Sequence, residues 1–240
     1  MTENRLCDLW YLSTTDIFSK LPAEEKEKMS SILRQVRIKK SGFVYTAGDR
    51  SNTIYILMKG GIKITRHTED GKEHIIDILR AGDIFGELAL GGEEERVTSA
   101  EALEDSLICA VDRDRFEALV SKSPSFSFSI TKWIGLRLRR IENRYADMIF
   151  QDVRTRVLKV LRDLAGQYGT PVPKGEKIDI RLSHQELAGL VGASRETVTT
   201  ELNNLKRAGE IIVEGRYFIL PAVSAGAAGA GKGQETENSL

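Results

Sequence analysis

The sequence predicts an α+β fold: a small antiparallel β-roll, a long helix, and a compact helical unit closed by a β-hairpin. Three observations carry this. Between Arg37 and Val111, short Ile- and Val-rich runs are separated by glycines at 42, 48, 60, 61, 71, 82, 86, 91 and 92, the texture of short strands joined by tight turns. After Pro124 the glycines become scarce, and Ile134, Leu138, Ile141, Tyr145 and Met148 recur at alternating steps of four and three, an apolar seam along one helix. Between Ser183 and Lys206, two helix-start signals flank a glycine, as in a tight helical hairpin. A chain of 240 residues, 41% hydrophobic and 29% charged, has room for two ordinary domains with real cores.

Taken in order, residues 1–14 are expected to form an N-terminal arm. From about Ile17 to Val36 the pattern is that of a short amphipathic helix, in which Pro22 suits the first turn and Glu24 and Glu25 suit a helix N-terminus. The roll is placed at 15–121. Asp70-Gly71 between Ile62–Thr65 and His74–Asp77 signals a hairpin. Cys109 falls in a strand from Ser106 to Val111, where a small buried hydrophobe is expected.

Residues 122–150 form the long helix, its seam flanked by Arg137, Arg139, Arg140, Glu142, Arg144 and Asp147. So narrow an apolar stripe needs a partner helix, which homodimerisation supplies most simply; packing on its own domain is the alternative. Asp152 to Gln167 is a further helix, ended by Gly169 and Pro171. The Gly/Ala-rich tail at 222–240 has little to pack and is expected to be disordered. Within it Gly226 and Gly231-Lys232 imitate a phosphate loop, but Gly233 stands where a magnesium-binding hydroxyl belongs.

Function classes narrow quickly. Thirty-five basic residues balance thirty-five acidic ones, which excludes a uniformly basic coat but not a local basic patch. No run approaches the roughly 18 apolar residues of a membrane span. Glu3, Arg5 and Asp8 deny the N-terminus a signal peptide's apolar core, so the expected location is the cytoplasm. Two cysteines cannot make a disulfide framework or a four-thiolate metal site. His67, His74 and His184 lack metal-ligand spacing, and no catalytic motif stands out. An enzyme is not expected.

The most specific signal is the helical hairpin at 183–206, within the unit 151–221. Ser183 and Glu186 are spaced as a capping box, Gly192 can turn the chain, and Ser194 can cap a second helix. Ala188, Gly192 and Val198 supply the small residue, the turn and the apolar plug that two closely crossing helices require. The second helix presents base-reading chemistry: Arg195 for guanine, Glu196 for the cytosine amino group, and Thr199 or Thr200 for a thymine methyl or phosphate. Ser194 and Thr197 complete the candidate DNA-binding set. Ile211–Val213 and Arg216–Ile219 about Glu214-Gly215 form a plausible wing. This unit carries eleven Lys/Arg against nine Asp/Glu, so non-specific phosphate attraction should be modest unless the charges segregate onto one face.

With these features in hand, about residues 15 to 221 resemble the cyclic-AMP receptor protein/FNR (Crp/Fnr) family of bacterial transcription regulators. The resemblance is carried by Gly82-Asp83-Ile84-Phe85-Gly86-Glu87-Leu88-Ala89-Leu90 and Val191-Gly192-Ala193-Ser194-Arg195-Glu196-Thr197-Val198. It implies a jelly-roll-like β-roll of the cyclic-nucleotide-binding type, a long dimerisation helix and a C-terminal winged helix-turn-helix. The partners it implies are near-palindromic duplex DNA, a second copy of the chain and RNA polymerase.

The resemblance also implies an effector site at Gly86, Glu87, Leu88, Arg96, Val97 and Thr98. In the family such an Arg holds the cyclic phosphate and such a Glu accepts from the ribose 2′-hydroxyl. Two departures stand against cyclic AMP: Val97 where Ser, Thr or Ala is usual, and Ile141-Glu142 where Thr and Ser meet adenine. A roll kept as scaffold, with Glu87 and Arg96 paired to each other, is the competing reading. Two cysteines exclude a four-cysteine iron–sulfur cluster, and no axial Cys/His match for haem is seen. Thr200 stands where the cyclic-AMP receptor's reading helix has a second Arg, so a shifted base preference is implied. The runner-up function is a cyclic-nucleotide sensor that regulates a partner protein, which leaves the Ala188–Gly192–Val198 pattern unused.

Overall fold

The computed structural model describes Phe18 and residues 21–67, 73–92 and 94–222. The N-terminal arm with Cys7, the Asp70-Gly71 turn and most of the glycine-rich tail lie outside these residues.

Two four-stranded antiparallel sheets make the roll. One orders β1 (Arg34–Ile38), β8 (Ser106–Asp112), β3 (Thr53–Lys59) and β6 (Ile84–Phe85). The other orders β2 (Phe43–Tyr45), β7 (Ser99–Ala102), β4 (Ile62–His67) and β5 (Glu73–Leu79). Strand β3 shows how alternation builds both sides of a sheet. Ile54, Ile56 and Met58 face helices α1 (Ala23–Ile32), α2 (Arg113–Lys122) and α3 (Pro124–Phe150), while Leu57 enters the roll interior with Ile62, Phe85 and Ile108. β4 and β5 pair from Ile62↔Leu79 to His67↔Glu73, as the hairpin signal requires. Cys109 is wholly buried, although its sulfur is disulfide-bonded and not a free thiol.

The expected helix from Ile17 to Val36 is too long. It ends at Ile32, Leu33 is extended, and Arg34–Ile38 form β1. Val36 and Ile38 are β-branched, and the ladder from Arg34↔Ala110 to Ile38↔Ser106 recruits them into the sheet.

Helix α3 runs 27 residues, about 40 Å. Ser123 caps it by accepting from the Phe126 amide, and Pro124 occupies the first turn, where its missing N–H costs nothing. Phe126, Ile130 and Trp133 bury its first half against the roll. Asp152 caps α4 (Val153–Tyr168), the N–H of Thr155 donating to its carboxylate.

The C-terminal unit contains α4, α5 (His184–Val191), α6 (Arg195–Arg207) and a sheet ordered β11 (Ile212–Glu214), β12 (Tyr217–Pro221), β10 (Gly175–Ile178) and β9 (Gly169–Val172). The last two strands have no counterpart in the sequence reading, which saw only a break after Gln167. Pro171 obscured them, yet β9 is the sheet edge, where a residue without an N–H is tolerated.

Phe126 has no exposed surface and its ring lies 5.7 Å from that of Phe18 and 5.6 Å from that of Phe116. Phe126→Ala should cost about 3–5 kcal/mol of stability. Urea unfolding checks this, and a loss below about 1 kcal/mol would show that the cluster closes over the gap.

Candidate effector site and DNA reader

Both arms of the capping box are formed at the start of α5. The Glu186 amide donates to Ser183 Oγ at 3.2 Å, and the Ser183 amide donates to Glu186 Oε2 at 2.7 Å. Gly192 closes the helix at φ 63°, a left-handed conformation that glycine adopts without strain. Ser194 then accepts from the Thr197 amide at 3.1 Å to start α6. Ala188 and Val198 are buried at the crossing.

The α6 surface places Ser194, Arg195, Glu196, Thr197 and Thr200 in the open. Thr199 differs. It is half-buried, its hydroxyl donates to the Arg195 carbonyl at 2.8 Å, and it lies 2.8 Å from His184 Nδ1. It therefore braces α6 against α5 more than it faces outward. Sequence reasoning missed this role for His184, because a separation of fifteen residues carries no local signal. The wing is the β11–β12 hairpin, with Val213 opposite Phe218 and Gly215 at φ 62°.

On α3, the five seam residues Ile134, Leu138, Ile141, Tyr145 and Met148 are between 45% and 67% exposed. Among the described residues they are only partly covered. The flanking arginines do something the sequence reading did not assign. Arg137 reaches Glu87 at 3.1 Å and Asp77 at 3.9 Å, Arg140 reaches Asp83 at 3.7 Å, and Arg144 donates to Asp77 at 2.8 Å. Asp77 and Asp83 are both buried. Burial pushes the Asp83 carboxyl above its ordinary range, against the pull of a backbone N–H from Arg80 and the charge of Arg140.

The six candidate effector residues gather around one turn. Gly86 is buried at φ 74° and opens a short 3-10 helix, Glu87–Gly91. A Cβ there would stand 2.9 Å from the Thr53 carbonyl and 3.1 Å from Arg96 Nη1, so only glycine fits. Arg96 is buried; it donates to the carbonyls of Gly86, at 3.0 Å, and Thr53. Its guanidinium also lies 4.6 Å from the centre of the Tyr45 ring, which belongs to a cluster with Tyr55 and Phe85. Burial raises the Tyr45 hydroxyl above its usual range. Leu88 and Val97 are about half exposed, and Thr98 is buried. Glu87 is engaged with the long helix through Arg137, a contact that the Glu87–Arg96 pairing did not anticipate.

Among the described residues, no helix is long and apolar enough to cross a membrane, and no group of three or more His, Cys, Asp or Glu is arranged to hold a metal ion.

Residues 35–123 match the family described as Cyclic nucleotide-binding domain, and residues 155–224 match the Crp-like helix-turn-helix domain. The chain is 32% identical over 209 residues to the CRP-like cAMP-activated global transcriptional regulator of Mycobacterium tuberculosis, covering 87% of this chain and 93% of that one. It is 31% identical over 185 residues to the cAMP-activated global transcriptional regulator Vfr of Pseudomonas aeruginosa, covering 75% and 86%. The fold is shared with the c-di-GMP responsive global regulator CLP of Xanthomonas campestris, at a TM-score of 0.74 and 24% identity over 84% of this chain and all of that one. With both domain types present in this order, the chain belongs to the Crp/Fnr family of transcription regulators.

Proposed function

We propose that this regulator acts as a homodimer that reads a near-palindromic DNA site and is controlled by a cyclic nucleotide held in the β-roll. The observation that carries the dimer is the exposed seam. Five large apolar side chains along one face of α3 favour a second copy of the same helix. RNA polymerase is the partner that a promoter-bound regulator of this kind would meet.

The effector reading rests on the turn at Gly86, with Glu87 and Arg96 beside it, and on the cAMP-activated relatives. Glu87 offers a carboxylate to a sugar hydroxyl, and Arg96 offers a guanidinium to a phosphate. One observation favours a second reading, in which the roll is a scaffold. Arg96 already donates to two of the roll's own carbonyls, so a phosphate has to compete with them. Val97 adds an apolar, half-exposed side chain at the same place.

Replacing both Leu138 and Ile141 by Asp would bury unpaired charge in the seam. The expected product is a folded monomer in light scattering, and a persistent dimer would move the interface elsewhere.

Half-site centres should lie about one helical turn, ~34 Å, apart, because the two-fold of the protein is mirrored in its site. Glu196→Ala should lose roughly 1–3 kcal/mol of discrimination at one base pair per half-site. Selection on randomised DNA reads this directly; an unchanged preference would remove Glu196 from base recognition.

Arg96→Ala and Glu87→Gln should each weaken cyclic-nucleotide binding. A 2′-deoxy ligand should lose less affinity in Glu87→Gln than in the parent, since the charged acceptor for that hydroxyl has gone. Titration with a panel of cyclic nucleotides, with operator affinity measured alongside, decides between the two readings. No binding at millimolar ligand, with constant operator affinity, establishes the scaffold.

A further inference from the structure

The DNA reader is seated on the β-roll through contacts that cross the boundary between the two. Gly189 lies inside α5, where glycine is a poor helix former. Its reason lies across the domain boundary: a Cβ there would stand 3.1 Å from the Ile75 amide nitrogen of β5. Ile75, Ile78 and Leu103 of the roll share one buried apolar cluster with Leu187, Ala188 and Val198 of the reader. The Tyr168 hydroxyl, at the end of α4, donates to the Leu79 carbonyl at 2.6 Å.

At the edge of this seat lies Lys63, 7% exposed on β4. Its ammonium is 2.9 Å from Glu101, 3.2 Å from Glu73 and 3.8 Å from Glu186. Two of these carboxylates belong to the roll and the third to the reader. Glu186 divides its oxygens: Oε2 closes the capping box and Oε1 faces Lys63. Without the ammonium, three carboxylates would confront one another at the boundary, and their repulsion would push the reader off its seat. In the seated state the outer face of α6, with Arg195, Glu196 and Thr200, stays exposed.

We propose that Lys63 is a positioning residue for DNA binding: through Glu186 it holds the reader on the β-roll, with Gly189 as the seat. A seated reader has a set orientation to the long helix. Two such readers in a dimer meet their half-sites without first losing the freedom of a loose tether. The proposal rests on the homodimer reading.

The test compares operator binding by the full-length parent with Lys63→Met, Glu186→Gln, their double variant and Gly189→Leu. Glu186→Gln is the fold-keeping variant, because glutamine also completes a capping box. Each single change should weaken operator binding by about tenfold, within the span typical of coupled sites. Base preference and the slope of log affinity against log salt should stay as in the parent, since Lys63 neutralises no phosphate. The double variant should lose no more than Lys63→Met alone, and amides of α5 and β5 should exchange faster in all four. Operator affinity within twofold of the parent, a shallower salt slope, or additive losses would each overturn the proposal. Failure of the dimer reading looks different: the parent itself is then monomeric in light scattering, and the proposal falls with it.

Discussion

The structure depends on a row of arginines laid against buried carboxylates. Arg137, Arg140 and Arg144 follow one another at helical spacing along α3 and meet Glu87, Asp83 and Asp77 of the roll. An ion pair in such a place adds little net stability, because both charges give up water to form it. Its value is directional. The row determines which side of α3 faces the roll, and the five seam residues are thereby left on the open side. Reverse the rotation of that helix and the apolar stripe would be buried while the guanidiniums lost their partners.

Glu87 makes this row more than a strut. It belongs to the turn proposed above to hold an effector, and it is also a carboxylate partner of Arg137. A sugar hydroxyl that drew on Glu87 would therefore act on the same carboxylate that meets the long helix. Any control exerted this way has to come from a ligand that binds one arrangement of the pair better than the other, because equal affinity for both shifts nothing. Arg96 behaves differently. Its bonds to the Gly86 and Thr53 carbonyls and its place over Tyr45 are internal to the roll.

How much of this was legible depended on the range over which each signal acts. The reader was legible almost residue by residue, since Ser183, Glu186, Gly192 and Ser194 work within four positions of their targets. The hairpin of β4 and β5 and the long helix after Pro124 were legible for the same reason. The switch from α1 to β1 at Leu33 was not, because Val36 and Ile38 become strand only when Ile108 and Ser106 arrive beside them. β9 and β10 were hidden by a proline that only a sheet edge tolerates. In the candidate effector turn, and where α6 crosses α5, the residue types were legible and the partners were not: nothing local joins Glu87 to Arg137 or Thr199 to His184.

The charge balance explains why orientation carries so much weight here. From Asp152 to Pro221 the excess is only two positive charges, so non-specific phosphate attraction should be modest unless the charges gather on one face. Base-edge contacts from the candidate residues Arg195, Glu196 and Thr200 would then carry more of the recognition, and hydrogen bonds to base edges are sensitive to distance and angle. A reader bearing many lysines could tolerate a loose tether, since long-range attraction would hold it near DNA in many orientations. The shared apolar cluster of Ile75 and Leu187, the close approach of Gly189 to β5 and the arginine row along α3 are the contacts through which the roll meets the reader and the long helix.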